Sequence, residues 1–149
     1  MTLAAYQASF ARMVLEPALA VRARAEGAAA FTDPALSEAE RARLADVACQ
    51  RGMRVTCVLA RANRLSSLVA ALPATCTLLK PELNALLDRF WGEQPMETLQ
   101  ALPAGLAFGR FLRDEIAAGR VAHPRAADVL LPELEELAER RAALTATAS

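Results

Sequence analysis

Histidine and lysine are nearly absent from this chain: His123 and Lys80 are single occurrences, and cysteine stops at Cys49, Cys57 and Cys76. These shortages remove whole classes of chemistry. The lone imidazole lies in VAHPR beside a proline, a predicted loop in which a histidine commonly caps a turn or meets solvent. Zinc needs convergent cysteine and histidine ligands at metal spacing, and no pair here has that spacing. The phosphate-binding loop and the dinucleotide fingerprint are missing, as is the nucleophile elbow G-x-S-x-G. Three cysteines without a CxxC do not suggest a disulfide framework, and buried thiols in a reducing compartment are the plain reading. The expectation is therefore no catalytic residue, no metal and no cofactor.

Long hydrophobic runs are also missing. No stretch approaches the roughly 18 apolar residues of a membrane span. The N-terminus MTLAAYQASFARMVLEP lacks the basic start and unbroken apolar core of a secretory signal. A cytoplasmic protein with no membrane segment is expected. Charge of one sign is not in excess either, with 17 basic and 17 acidic side chains. That weighs against a general polyanion binder, which needs a net or strongly segregated positive field. Segregation does occur: the middle third is basic, and Glu133, Glu135, Glu136 and Glu139 make the last segment acidic. That acidic run reads as a solvated face.

Aromatic residues are only 5% of the chain while hydrophobic residues reach 54%, so alanine and leucine carry the apolar content. Both lose little side-chain entropy in a helix. The composition predicts an all-α fold, a compact orthogonal bundle of six or seven helices in one domain over 1–149, with a tail frayed from about 144.

Helical faces and punctuation can be followed along the chain. Leu3, Tyr6, Phe10, Met13 and Val14 predict a first helix over 3–15. Pro17 suits the first turn of a second, which Gly27 ends. Ser37 and Glu40 form a capping box for a helix to about Gln50. Gly52 then separates it from the central helix of the segment RGMRVTCVLARANRLSSLVAALP, or only kinks one continuous helix. In that segment Val55, Val58, Leu59, Ala62, Leu65, Val69 and Leu72 recur at steps of three and four, one face of a long helix closed by Pro73. ATCTLLK reads as one or two helical turns. Pro81 suits a first turn, and Leu83, Leu86, Leu87, Phe90 and Trp91 mark a helix closed by Gly92 and Pro95. Thr98 to Leu102 adds a turn. Leu106, Phe108, Phe111, Leu112 and Ile116 mark a helix that stops at Gly119. Ala127, Leu130, Leu131, Leu134 and Leu137 mark the last.

The long central helix carries the candidate binding residues. Arg51, Arg54, Arg61 and Arg64 suit phosphates or the carboxylates of a protein or peptide. They are equally suited to pairing with the acidic last helix inside the same fold. Asp114 and Glu115 are neighbours in sequence, diverge on a helix, and do not make an acid/base pair.

The order of segments carries a resemblance. YQASFARMVLEP is followed by RVTCVLARANRLSSLVAALPATCTLL, LNALLDRFWGEQP, AFGRFLRDE and HPRAADVLLPELEELA. This resembles the helical domain of partner proteins encoded beside multinuclear non-haem iron oxidative enzymes, including the accessory proteins of methanobactin, thiaglutamate-type and bufferin systems. In that family an arginine–asparagine pair opens the motif, a proline follows about ten residues later, and F-x-x-F-L precedes the last helix. Arg61-Ala62-Asn63, Pro73 and Phe108-Gly109-Arg110-Phe111-Leu112 hold those places here. The resemblance implies a non-catalytic adaptor that forms a heterodimer with an iron-dependent oxidative enzyme. It further implies help in binding a ribosomally made precursor peptide whose cysteines the enzyme oxidises. Arg51, Arg54, Arg61, Asn63 and Arg64 are then the expected partner-binding residues. The relatives continue into a C-terminal module that holds the peptide, so enzyme docking carries over more directly than peptide binding. Members of the wider family are also described as DNA-binding domains, which makes a small helical transcriptional regulator the alternative.

Overall fold

The computed structural model describes residues 3–93 and 100–147, and within them the chain is all-α. The helices are α1 (Leu3–Leu15), α2 (Pro17–Glu26), α3 (Glu38–Cys49), α4 (Arg51–Ala71), α5 (Pro73–Leu78), α6 (Leu83–Glu93), α7 (Ala101–Ala117) and α8 (Ala126–Thr147), with a 3₁₀ turn at Gly27–Ala30. The chain gathers into two compact units, Met1–Asn63 and Arg64–Ser149, and the boundary falls inside α4.

The first unit mixes alanine with larger apolar side chains. Met13, Leu19, Ala20, Ala23, Ala30, Phe31, Leu36, Leu44, Ala45, Ala48 and Met53 form its core. Pro17 opens α2, and Gly27, at φ 64°, closes it in the left-handed region that glycine enters without strain. The predicted capping box at α3 is present: the Ser37 Oγ accepts from the Glu40 N–H at 3.3 Å, and a Glu40 carboxylate oxygen accepts from the Ser37 N–H at 2.8 Å. The bond from the Ser37 N–H, and after it one donated by the Ser37 hydroxyl to the same carboxylate oxygen at 2.7 Å, hold the Glu40 carboxyl below its ordinary range. The break before α4 falls at Gln50, which is extended (ψ 141°), and Gly52 lies within the first turn of α4.

The second unit is built on leucine and phenylalanine. Phe90 of α6 meets Phe108 and Phe111 of α7 at ring-centroid distances of 5.0 and 5.4 Å, in tilted arrangements that suit the ring quadrupoles. Leu68, Leu72, Leu79, Leu86, Leu87, Leu106, Leu112, Leu130 and Leu137 fill in around them. Close approach of α7 to its neighbours depends on two glycines. A Cβ on Gly105 would stand 2.3 Å from the Ala71 Cβ, and one on Gly109 would stand 2.7 Å from the Leu134 Cδ1.

α7 ends in a Schellman turn. Gly119, at φ 69°, donates to the Ile116 carbonyl at 3.0 Å and Arg120 donates to that of Glu115 at 2.9 Å.

Several boundaries and faces differ from the sequence expectation. α6 begins at Leu83, after Pro81, and Gly92 lies inside it. Pro95 and Thr98 fall outside the described residues. α8 runs through Thr147 instead of fraying from 144, and the Thr145 and Thr147 hydroxyls donate back to carbonyls of the preceding turn. Leu131, expected inside, is exposed. Glu133 is not a solvated face residue: its two carboxylate oxygens accept from the Ala74 and Thr75 N–H groups at 2.8 and 2.9 Å, satisfying orphan donors at the start of α5.

Candidate functional site

α4 is a long helix of which the fold buries few side chains. Its buried residues are Met53, Arg64 and Leu68, with Cys57 partly covered. At about 100° per residue these positions fall on one side of the helix. Val55, Val58, Leu59 and Ala62 fall on the opposite side, facing solvent, with Val55 at 54%, Val58 at 67% and Leu59 at 57% exposure. The stripe of seven residues read from the sequence therefore divides. Leu72, just beyond the helix, is buried and Leu65 half-buried, whereas Val55, Val58, Leu59, Ala62 and Val69 point outward. The physical reason is that α4 is apolar on two sides. Packing selects the side with Met53 and Leu68, and the β-branched residues that give the stronger periodic signal lie outside.

The predicted binding residues separate accordingly. Arg51 and Arg54 are exposed in the first turn of α4, where no acidic side chain occurs. Arg51 stands at the head of the outer apolar stripe, Arg54 flanks it on one side, and Asn63, exposed, flanks it on the other. Arg61 is half-buried at the margin. Arg64, a candidate partner-binding residue whose exposure the sequence left open, is only 5% exposed. Its guanidinium lies 4.2 Å from the ring centroid of Trp91, a cation–π contact inside the second unit. Arg64 belongs to the packing and not to the outer face.

Some of the other ionisable groups are engaged in structure. Glu115 is buried, with its carboxylate 2.6 Å from the Arg89 Nη2 and 2.9 Å from the Arg120 Nε. The Schellman turn that closes α7 brings Arg120 back over Glu115. The hydrogen bond from Arg120, with the charge of Arg89 beside it, holds the Glu115 carboxyl below its ordinary range against the opposing effect of burial. Asp114, next in sequence, is exposed, so the two carboxylates diverge as expected. The His123 Nδ1 accepts from the Arg125 N–H at 3.2 Å and caps the turn leading into α8. All three cysteines are free: Cys49 is exposed, burial raises the Cys57 thiol, and burial pushes Cys76 up to about 11.

Among the described residues, no group of three or more His, Cys, Asp or Glu side chains is placed to hold a metal ion, and no helix is long and apolar enough to cross a membrane. An open groove of about 460 Å³ in the second unit is walled mainly by apolar side chains, among them Ala71, Leu102, Leu137 and Leu144. Its one charged lining residue, Arg140, is ion-paired with Glu136. The groove therefore gathers no catalytic groups.

Residues of the family-like motif fall in different surroundings. Phe108, Phe111 and Leu112 are core, Pro73 starts α5, and Arg61-Ala62-Asn63 borders the outer face of α4. Comparison with protein-family models, with curated proteins and with solved structures finds no match to this chain. The resemblance rests on its own residues.

Proposed function

We propose that this chain is a non-catalytic cytoplasmic adaptor that binds a protein partner through the outer face of α4. The observation behind the reading is the row of Val55, Val58 and Leu59, each more than half exposed, with Arg51 and Arg54 beside it. Magnitudes decide the kind of partner. Removing a valine or leucine side chain from water contributes ~1.5–3 kcal/mol, whereas an exposed arginine–carboxylate pair contributes ~0.2–1 kcal/mol. Affinity at this face comes mainly from its apolar side chains, and the arginines set register and encounter. A phosphate backbone would engage the arginines and leave the valines and leucine uncovered. A protein surface covers both, which ranks the adaptor above the DNA-binding regulator, as does a formal net charge of zero.

The motif resemblance makes an iron-dependent multinuclear oxidative enzyme the first partner to test, in a heterodimer that serves oxidation of precursor-peptide cysteines. The test is affinity capture from the native host with the wild-type chain and with Leu59→Glu, followed by mass spectrometry and metal analysis. An iron-containing oxidative enzyme should co-elute with the wild type and be lost with the variant. Nucleic acid in place of a protein partner would replace this reading with the regulator. A partner retained by Leu59→Glu would remove the α4 face from the account.

A further inference from the structure

The reading of α4 as a docking face leaves the chemistry of its occupant open, and the charges on the helix narrow it. The 21 residues of α4 include Arg51, Arg54, Arg61 and Arg64 and no aspartate or glutamate. Among the described residues, no carboxylate lies within ion-pair distance of Arg51 or Arg54. Both sit in the first turn, at the positive end of the helix dipole, where a cation is disfavoured and an anion favoured. Some exposed arginines elsewhere pair locally, Arg12 with Glu16, Arg22 with Glu26 and Arg140 with Glu136, while Arg43, Arg110, Arg125 and Arg141 resemble Arg51 and Arg54 in having no carboxylate within ion-pair distance among the described residues. The start of α4 is thus a site of uncompensated positive charge on a chain of zero formal net charge, adjoining the outer apolar stripe.

Shape narrows it further. Val55, Val58, Leu59 and Ala62 form the ridge of a convex helix surface with small side chains, which another helix can approach closely and interdigitate with. No β-strand occurs among the described residues to offer an edge for strand addition. A second copy of α4 is a poor occupant, because it would bring two arginine sets together with no carboxylate from either helix.

We propose that the outer face of α4 receives an acidic amphipathic helix of a partner protein, with its apolar stripe against Val55, Val58 and Leu59 and its carboxylates against Arg51 and Arg54. This rests on the docking reading above. It adds the class of partner element and the sign of its charge.

The test uses the full chain and three fluorescent synthetic helices of about 20 residues. They share one leucine stripe at i, i+3, i+4 and i+7, and carry flanking glutamate, glutamine or lysine respectively. Anisotropy should show the glutamate peptide binding about tenfold tighter than the glutamine peptide, with the preference shrinking as salt rises. The lysine peptide should bind weakest. Leu59→Glu should abolish binding of the glutamate peptide, and Arg51→Glu with Arg54→Glu should transfer the preference to the lysine peptide. Unchanged circular-dichroism melting of Leu59→Glu shows that its loss is not unfolding.

Equal binding of glutamate and glutamine peptides, or no binding of either, would overturn this inference. So would a chain that ignores all three peptides and instead binds anionic phosphatidylglycerol vesicles or duplex DNA, or self-associates in sedimentation. The docking reading fails separately, when a partner captured from the host survives Leu59→Glu.

Discussion

α4 and α7 are both long, and both are rich in apolar side chains, but they distribute them differently. In α7, seven of 17 residues are buried: Gly105, Leu106, Phe108, Gly109, Phe111, Leu112 and Glu115. Its outer positions are polar, with Arg110, Arg113 and Asp114 exposed. In α4, three of 21 residues are buried, and its outer positions carry Val55, Val58, Leu59 and Ala62. α7 is a helix whose apolar content is consumed by folding. α4 carries a surplus that folding does not use. Singly exposed apolar residues are normal on any surface, but several aligned on one face of one helix, beside uncompensated arginines, mark a surface suited to a partner.

The largest effect should come from α7. Phe108→Ala removes a fully buried ring packed on Phe90 and should cost ~3–5 kcal/mol in urea unfolding. Gly105→Ala places its Cβ against that of Ala71, a contact with no flexible end to yield, and should cost ~1–3 kcal/mol. Gly109→Ala should cost less, because the Leu134 Cδ1 it meets can turn away. Equal costs for Gly105→Ala and Gly109→Ala would contradict the packing described for α7.

A smaller effect should follow from Glu115→Gln, and it carries a pH signature. The folded-state pKa of Glu115 is depressed, first by the hydrogen bond from Arg120. Its contribution is therefore complete above the ordinary carboxyl value of 4.5 and is lost as pH falls through the lower folded value. The stability gap between wild type and Glu115→Gln should be constant near neutrality and narrow below that value. A gap that widens on acidification would contradict the assignment.

Substitution at the start of α4 should act in the opposite direction. Arg51→Glu and Arg54→Glu replace cations by anions at the positive end of the helix dipole, and each should stabilise the fold by ~0.3–1 kcal/mol while impairing binding. Thermal melting alongside binding separates the two effects. A fall in melting temperature would show that these arginines hold the fold together.

Much of the fold was legible in the sequence because it is encoded locally. The capping box at Ser37, Pro17 and Pro73 at helix starts, and Gly27 and Gly119 at helix ends each act within a few residues. What was not legible depends on neighbours distant in the chain. Arg64 points inward because Trp91 offers a ring to stack on, and nothing around Arg64 announces that partner. Glu133 caps α5 from almost sixty residues away and looks in sequence like one of several surface glutamates. Periodicity located the outer stripe of α4 but could not say whether it faces the core or solvent, because a helix that is apolar on two sides leaves that choice to packing. The sequence left open whether the arginines of α4 face solvent or pair within the fold, and in the structure Arg51, Arg54 and Asn63 are exposed. A signal for the outer stripe was present: apolar residues at 53, 57 and 68 mark a second helical stripe that competes with the one at 55, 58, 59 and 62.

The most direct measurement is thermal unfolding and partner binding of one double variant, Val58→Glu with Leu59→Glu. The surplus reading predicts a melting temperature within about 2 °C of wild type, as for surface substitutions generally, together with loss of the captured partner. A drop of about 5 °C or more, or a partner that remains bound, would show that the outer face of α4 serves the fold or serves nothing.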